Sequence, residues 1–349
     1  MARCQSTGSH GFGCWEEAMS EAGLIDPFGR SIHYLRLSVT DSCDFRCTYC
    51  MPEDMRFLPQ HQLLSLEELA VLADAFISLG VRRIRITGGE PLMRKGLVSL
   101  LETLGARAEL EDLSLTTNGN LLARYAAALK AAGVGRLNIS LDSLNRERFA
   151  QFSRRDRLPQ VLEGIAAARD AGFGQIRINS LIQKGRNDDE VEDLVGFAIA
   201  QGLDISFIEE MPLGRVISHS RSATLCTSEQ LRQRLERRFV LLPSTHKTAG
   251  PARYWQVAGT ATRVGFISPH SDNFCADCNR VRVTAQGQLV LCLGHDGAVG
   301  LRDILRNQPQ PGPALRQAII NALQFKPQRH YFDTGEQVQV IRFMSATGG

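Results

Sequence analysis

No stretch of this 349-residue sequence approaches the ~18 consecutive apolar residues of a membrane span, and no apolar h-region stands ahead of its cysteines. Lysine is scarce: Lys95, Lys130, Lys184, Lys247 and Lys326 are the only five among 40 basic residues. Net charge is slight as well, at +3. With no basic stripe the chain lacks the footprint of a nucleic-acid binder, so any anion must be gripped locally, by arginines whose planar fork suits bidentate phosphate contacts. A content of 43% hydrophobic and 22% charged residues excludes a wholly disordered, collagen-like or coiled-coil chain. The length allows one large domain or two ordinary ones, each able to bury a core. Nine cysteines is an odd count. Their clustering points to metal rather than disulfides, in an untargeted, cytosolic chain.

Residues 1–30 are rich in Gly and Ser, lack periodicity and read as a loosely ordered lead-in. From Leu35 a grammar repeats: a β-rich run, a polar turn, a helical segment, then Gly. The runs are Leu35–Thr40, Arg83–Thr87, Leu113–Thr117, Leu137–Leu141, Ile176–Ile182 and Ile205–Ile208. Ser65-Leu-Glu-Glu68 is a capping-box pattern opening a helix that Gly80 closes, and Gly133, Gly172 and Gly202 close three others. Strand-helix alternation implies parallel strands, in either an open doubly wound sheet or a curved, incomplete barrel. After Met211 the grammar breaks. Residues 212–227 read as a connecting loop, Ser228 as the cap of a helix reaching about Phe239, Arg253–Ile267 and Val281–Leu293 as hairpins, and Ala314–Gln324 as a last helix. This second portion is smaller and α+β.

Cys43, Cys47 and Cys50 form a C-x3-C-x2-C loop immediately after the first strand. Three thiolates on one loop suit a cubane [4Fe-4S] cluster with one open iron, whereas structural zinc wants a fourth ligand from elsewhere. Polar residues recur at the other strand ends: Thr87-Gly-Gly-Glu-Pro91, Thr116-Thr-Asn-Gly119, Ser140-Leu-Asp142 and Glu209-Glu-Met211. Sites on parallel α/β scaffolds gather there. Cys275, Cys278 and Cys292 make a second trio, for which zinc completed by His270 or His295 and an iron-sulfur cluster are comparable readings by spacing. Strand alternation sends Arg280 and Arg282 to one face, and Arg36 and Arg85 sit among apolar neighbours inside strands. Charges there are costly unless they face a lumen holding water or an anion; a triphosphate fits.

The C-x3-C-x2-C loop with Tyr49 before its last cysteine, and Gly88-Gly-Glu-Pro91, resemble the radical S-adenosylmethionine superfamily. The segments LRLSVTDSCDFRCTYCMP, RITGGEPLMR, LTTNG, NISLDSL, IEEMPLG and CADCNRVR and the terminal Gly348-Gly349 narrow the resemblance to the GTP 3',8-cyclase family, molybdenum cofactor biosynthesis protein A. The resemblance implies an incomplete (β/α)6 TIM-like barrel over residues 31–211, capped by a C-terminal α+β portion over 212–349. It implies two [4Fe-4S] clusters, one on Cys43, Cys47 and Cys50 and one on Cys275, Cys278 and Cys292. Tyr49, Gly89, Ser140 and Met211 would contact S-adenosylmethionine, while Arg36, Arg85, Thr116, Arg280 and Arg282 would contact GTP. Arg36, Arg280 and Arg282 would be catalytic, and the diglycine tail would enter beside them.

The implied reaction is that of a lyase. A deoxyadenosyl radical takes hydrogen from ribose C3', C3' attacks guanine C8, and reduction gives 3',8-cyclo-7,8-dihydro-GTP. The implied partners are an external one-electron donor and a downstream cyclic pyranopterin monophosphate synthase; no nucleic acid or membrane is expected, and a homodimer is left open. Arg177 stands where the family commonly has a GTP-contacting lysine, and Ser42 and Asp44 depart from its usual Arg and Asn. A radical enzyme modifying peptides and a non-catalytic zinc adaptor are the alternatives. Cys4, Cys14, Cys226, Glu90 and Glu209 receive no role.

Overall fold

The computed structural model describes residues 23–214, 219–330, 332 and 340–348; Cys4, Cys14 and Gly349 lie outside them. Six short strands alternate strictly. In β1 (Tyr34–Ser38), Leu35 and Leu37 join the hydrophobic core while Tyr34, Arg36 and Ser38 face the other way. The pattern recurs in β2 (Arg83–Thr87), β3 (Asp112–Thr117), β4 (Arg136–Ser140), β5 (Ile176–Leu181) and β6 (Asp204–Ile208), where Ile84, Leu115, Ile139, Ile178 and Phe207 are among the core residues. Period two therefore separates an apolar face from a polar one on every strand.

The helices α1 (Leu66–Ser78), α2 (Leu97–Gly105), α3 (Leu122–Ala131), α4 (Arg146–Ser153), α5 (Leu158–Asp170) and α6 (Val191–Gln201) connect these strands and cover the apolar face. The Ser65 capping box is formed: its hydroxyl accepts from Glu68 N at 3.1 Å and Glu68 accepts from Ser65 N at 2.7 Å.

Beyond β6 come the single-turn α7 (Arg221–Thr224), α8 (Ser228–Leu235), β7 (Leu241–Pro243), β8 (Arg253–Val257), β9 (Arg263–Ile267), β10 (Arg280–Val283), β11 (Gln288–Val290), β12 (Val299–Gly300), α9 (Arg302–Asn307), α10 (Pro311–Leu323) and α11 (Met344–Thr347). Both expected hairpins are present. Thr227 caps α8 in place of Ser228, because its hydroxyl accepts from Gln230 N and Gln230 reciprocates. α10 begins three residues earlier than the sequence suggests, with Pro311 at its first position, where a missing N–H costs nothing.

The second portion does not form a layer of its own. β10 pairs in parallel with β1 and β9 pairs in parallel with β6, giving one sheet in the order β12-β11-β10-β1-β2-β3-β4-β5-β6-β9-β8-β7. Eight strands thus run parallel, not six. Residues from β10 and from β9, at opposite ends of that run, line one cavity, so the sheet curls into an incomplete barrel around it. Among the described residues no helix is long and apolar enough to cross a membrane.

The end of the lead-in is ordered, against expectation. The Asp26 carboxylate accepts from Phe28 N, Arg30 N and Arg30 Nε, and Arg30 donates onward to the carbonyls of Cys275, Pro327 and Gln328. Leu24 and Ile32 are buried.

Candidate active site

The carboxyl end of β1 runs straight into the loop bearing Cys43, Cys47 and Cys50. Its shape is set by neighbouring strand ends. Gly89 N donates to Thr40 O at 2.8 Å and Glu90 N to Ser42 O at 2.7 Å, laying the turn after β2 against the loop. A Cβ on Gly89 would stand 2.3 Å from Ser42 O and 2.4 Å from Asp41 O, so this glycine is fixed by close backbone approach as well as by any ligand. The Glu90 carboxylate, fully buried, accepts from Leu92 N, Thr117 Oγ1 and Asn118 N. That ties β2 to β3 and gives the unassigned acid a structural job. Asn118 and Asn120 in turn donate to Asp44 at 2.6 and 2.7 Å, so the departure at position 44 supplies the acceptor that anchors the loop. Ser42 contributes its backbone there, its carbonyl to Glu90 N and its N–H to Thr40 Oγ1 at 3.1 Å.

The Tyr49 hydroxyl donates to Asp142 at 2.7 Å, and Asp142 also accepts from Leu181 N. Burial pushes the Asp142 carboxyl up to about 6. Burial likewise holds Cys43 and Cys47 well above the ordinary thiol range, with Glu90 and the neighbouring thiols adding, and lifts Cys50 to about 12 against a Ser345 backbone N–H. The second trio sits among cations. Burial pulls Cys278 up, but Lys326 and Arg280 outweigh it and leave the thiol below its ordinary value; Cys292 is raised by burial.

Register places the arginines. Arg36 lies opposite Arg282 on one side and Arg85 on the other, and Arg85 opposite Ser114. One level away, Thr116, Asn138 and Arg177 are successive partners across β3, β4 and β5. Adjacent strands are about 4.8 Å apart, so three guanidinium side chains stand abreast. Arg83 and Arg136, on the same strands, are paired with Glu111 and Asp112. Among the described residues Arg36, Arg85, Arg177, Arg280 and Arg282 have no carboxylate partner, and Arg36 Nε, Arg85 Nη2, Arg177 Nε and Arg280 Nε are buried without a hydrogen bond. Burial pulls Arg85 down to about 10 and Arg282 well below its ordinary value, with Arg36 and Arg280 pressing on the latter. Such a row calls for an anion.

One cavity of about 280 Å3 takes in both cysteine trios and the residues expected to contact S-adenosylmethionine and GTP: Cys43, Cys47 and Cys50 on one side, Cys275, Cys278 and Cys292 on the other, and the five arginines with Thr116, Tyr49, Gly89, Ser140 and Met211 along its wall. The tail reaches it too. Arg282 Nη1 donates to Gly348 O, and Ser345 lines the cavity. His270 Nε2 and His295 Nε2 meet backbone carbonyls of Glu210 and Arg329, and neither lines this cavity, whereas His330, whose Nε2 is buried without a hydrogen bond, does. No three His, Cys, Asp or Glu side chains among the described residues gather tightly enough for a single metal ion.

Sequence reasoning missed Asn179, Phe274, Lys326 and His330. Asn179 follows Arg177 by two on β5 and was readable from period two, and its Oδ1 is buried without a partner in the same cavity. Phe274, under the Arg280 guanidinium at 5.6 Å, the buried His330 and Lys326 gave no signal, because long-range packing alone brings them here. Glu209 accepts from Ser228 N, His270 N and Ser271, fastening the loop before the second trio, and Cys226 is a packed core thiol.

A partial parallel barrel with a three-cysteine loop at the end of its first strand defines a radical S-adenosylmethionine protein, and residues 37–198 match the radical SAM superfamily. Residues 203–332 match Molybdenum Cofactor Synthesis C. The chain is 69% identical over 326 residues to the GTP 3',8-cyclase of Ectopseudomonas mendocina, covering 93% of this chain and 98% of that one, and 66% identical over 331 residues to GTP 3',8-cyclase 2 of Pseudomonas aeruginosa, covering 95% and 100%. It therefore belongs to the GTP 3',8-cyclase family. Among solved structures, SuiB of Streptococcus suis bound to S-adenosylmethionine shares the fold at a TM-score of 0.58, with 14% identity over 88% of this chain and 77% of that one.

Proposed function

We propose that this chain is a radical S-adenosylmethionine lyase that converts GTP to 3',8-cyclo-7,8-dihydro-GTP, the first step of molybdenum cofactor biosynthesis, in the cytoplasm. The observation that carries the reading is the row Arg282-Arg36-Arg85, with Arg280 two residues from Arg282 on β10 and Arg177 on β5, all without carboxylate partners among the described residues, in a cavity walled at each side by three cysteines. The donor sets fit their groups: three thiols per side leave a vertex for a small molecule, and the orphaned arginine donors match a triphosphate.

In this reading residues 31–211 hold the first [4Fe-4S] centre on Cys43, Cys47 and Cys50, and residues 212–349 hold the second on Cys275, Cys278 and Cys292. Tyr49, Gly89, Ser140 and Met211 seat S-adenosylmethionine beside the first. When bound, these groups supply a one-electron cleavage that removes hydrogen from ribose C3'. Arg36, Arg85, Thr116 and Arg177 fix the triphosphate and ribose so that C3' faces guanine C8. Arg280 and Arg282, on the wall next to the second trio, orient the base and favour the late electron and proton delivery. The walls exclude water while the radical persists. An external electron donor and a downstream cyclic pyranopterin monophosphate synthase complete the scheme.

Anaerobic reconstitution with iron and sulfide tests it. About eight irons per chain, and a GTP-dependent product isomeric with GTP and formed together with 5'-deoxyadenosine, are expected: the hydrogen taken from C3' is balanced by the late electron and proton. Four irons, or S-adenosylmethionine cleavage indifferent to GTP, would overturn the proposal.

A further inference from the structure

Lys326 is a buried cation for which no carboxylate partner stands among the described residues, with a relative exposure of 3%. An isolated ammonium in such a place is expensive unless an anion meets it. Its Nζ donates to Arg280 O at 3.1 Å and Leu291 O at 2.5 Å. Leu291 precedes Cys292, and Arg280 follows Cys278 by two residues. Cys278 Sγ approaches the same Arg280 carbonyl at 3.9 Å, so ammonium and sulfur share one acceptor. An ammonium has three N–H donors, and two are spent on the backbone. Arg30 braces the arrangement by bonding Cys275 O and Pro327 O at 2.8 and 2.7 Å. The first cysteine loop is mixed: Asp44, Glu90 and Asp142 stand beside it as acids, while Arg46 donates to Cys43 O at 2.6 Å.

We propose that Lys326 is the fixed counter-charge of the second metal centre, placed to stabilise the electron that the centre accepts and so to hold its reduction potential above that of the first. The inference rests on the reading of Cys275, Cys278 and Cys292 as ligands of an iron-sulfur centre. Net charge and hydrogen bonds to sulfur are the protein's levers on such a potential. Lys326 then biases electrons toward the side of the cavity where the late reduction is needed. It acts through the centre and is not itself a reacting group.

The experiment compares the full chain, K326M and K326R after anaerobic reconstitution, each in a background where Cys43, Cys47 and Cys50 are Ala so that one centre is read alone. Iron per chain and the midpoint from an EPR-monitored redox titration are the readouts. K326M should retain four irons and shift the reduced-to-oxidised ratio at least tenfold toward oxidised, a midpoint about 59 mV lower for one electron, while K326R stays near the parent. Iron lost from K326M and kept by K326R also supports the assignment, since charge is what the two differ in. An iron-replete K326M with an unmoved midpoint, or iron lost equally from both, overturns it. Failure of the parent background to take up any cluster overturns the second centre itself, and Lys326's role with it.

Discussion

Arg282 donates from Nη1 to the carbonyl oxygen of Gly348, fixing the chain's penultimate residue against the arginine row. Gly348 has φ +75°, and a Cβ on it would stand 2.0 Å from Thr87 Oγ1 and 2.8 Å from Thr87 Cβ. Two separate constraints thus demand glycine: a left-handed backbone and the wall of β2. Gly348→Ala should unseat the tail and lower turnover at least tenfold, about 1.4 kcal/mol of lost transition-state stabilisation. Iron content should stay at its parent value, which a steady-state assay paired with metal analysis will establish.

Two residues beyond Thr87, Gly89→Ala drives a Cβ into three backbone atoms of Asp41 and Ser42, the farthest only 2.6 Å away. Backbone cannot swing aside as a side-chain tip can. The cysteine loop must shift, at a cost of about 1–3 kcal/mol for an overpacked site. A lower melting temperature is expected, together with loss of iron from the first trio only. Retention of that iron would place Gly89's importance on the ligand side instead.

Much of this was legible before any coordinates. Period two in Arg36, Arg85, Arg177, Arg280 and Arg282 put each guanidinium on the face opposite the leucines and isoleucines, and parallel pairing then had to collect them in one lumen. What local sequence does not encode is which strands become neighbours. The parallel seating of β10 on β1 and β9 on β6 sets Arg282 beside Arg36 and adds two strands, expected only as members of hairpins, to the six expected parallel ones. Arg30 and Lys326 were hidden for the same reason: each acts on carbonyls more than 30 residues away in sequence. Glu90 looked like a motif acid. Its three bonds show that it is also a clamp.

Arg177 stands where the resemblance implies a lysine. Its guanidinium lies over the Tyr254 ring at 5.0 Å, 5% exposed, and burial pulls its pKa down. Planar stacking is something an ammonium on a flexible stem reproduces less well. Arg177→Ala should raise KM for GTP by roughly 10–100-fold, the range of one charge-assisted hydrogen bond, with kcat less affected. Arg177→Lys should recover part of that loss, being short of the Tyr254 contact but not of charge. Equal kcat loss in both variants would mean a role in the chemical step rather than in holding substrate.

Glu90 carries a pH signature. Burial raises its carboxyl from 4.5 to about 7, against the opposing hydrogen bonds from Asn118 and Leu92. Between those values the folded chain keeps a proton that the unfolded chain has released. Stability contributed by this group is therefore full below about pH 4.5 and falls as pH rises to 7, by on the order of 3 kcal/mol in all. Glu90→Gln removes the slope but turns an amide NH2 or a single carbonyl toward three donors, a penalty of about 1–3 kcal/mol. The variant should thus be clearly less stable than the parent at pH 4.5 and nearly level with it at pH 7.5. Urea midpoints across that range, without S-adenosylmethionine, decide the matter: parallel curves would mean that Glu90 is ionised throughout and that its bonds from Leu92, Thr117 and Asn118 outweigh its burial.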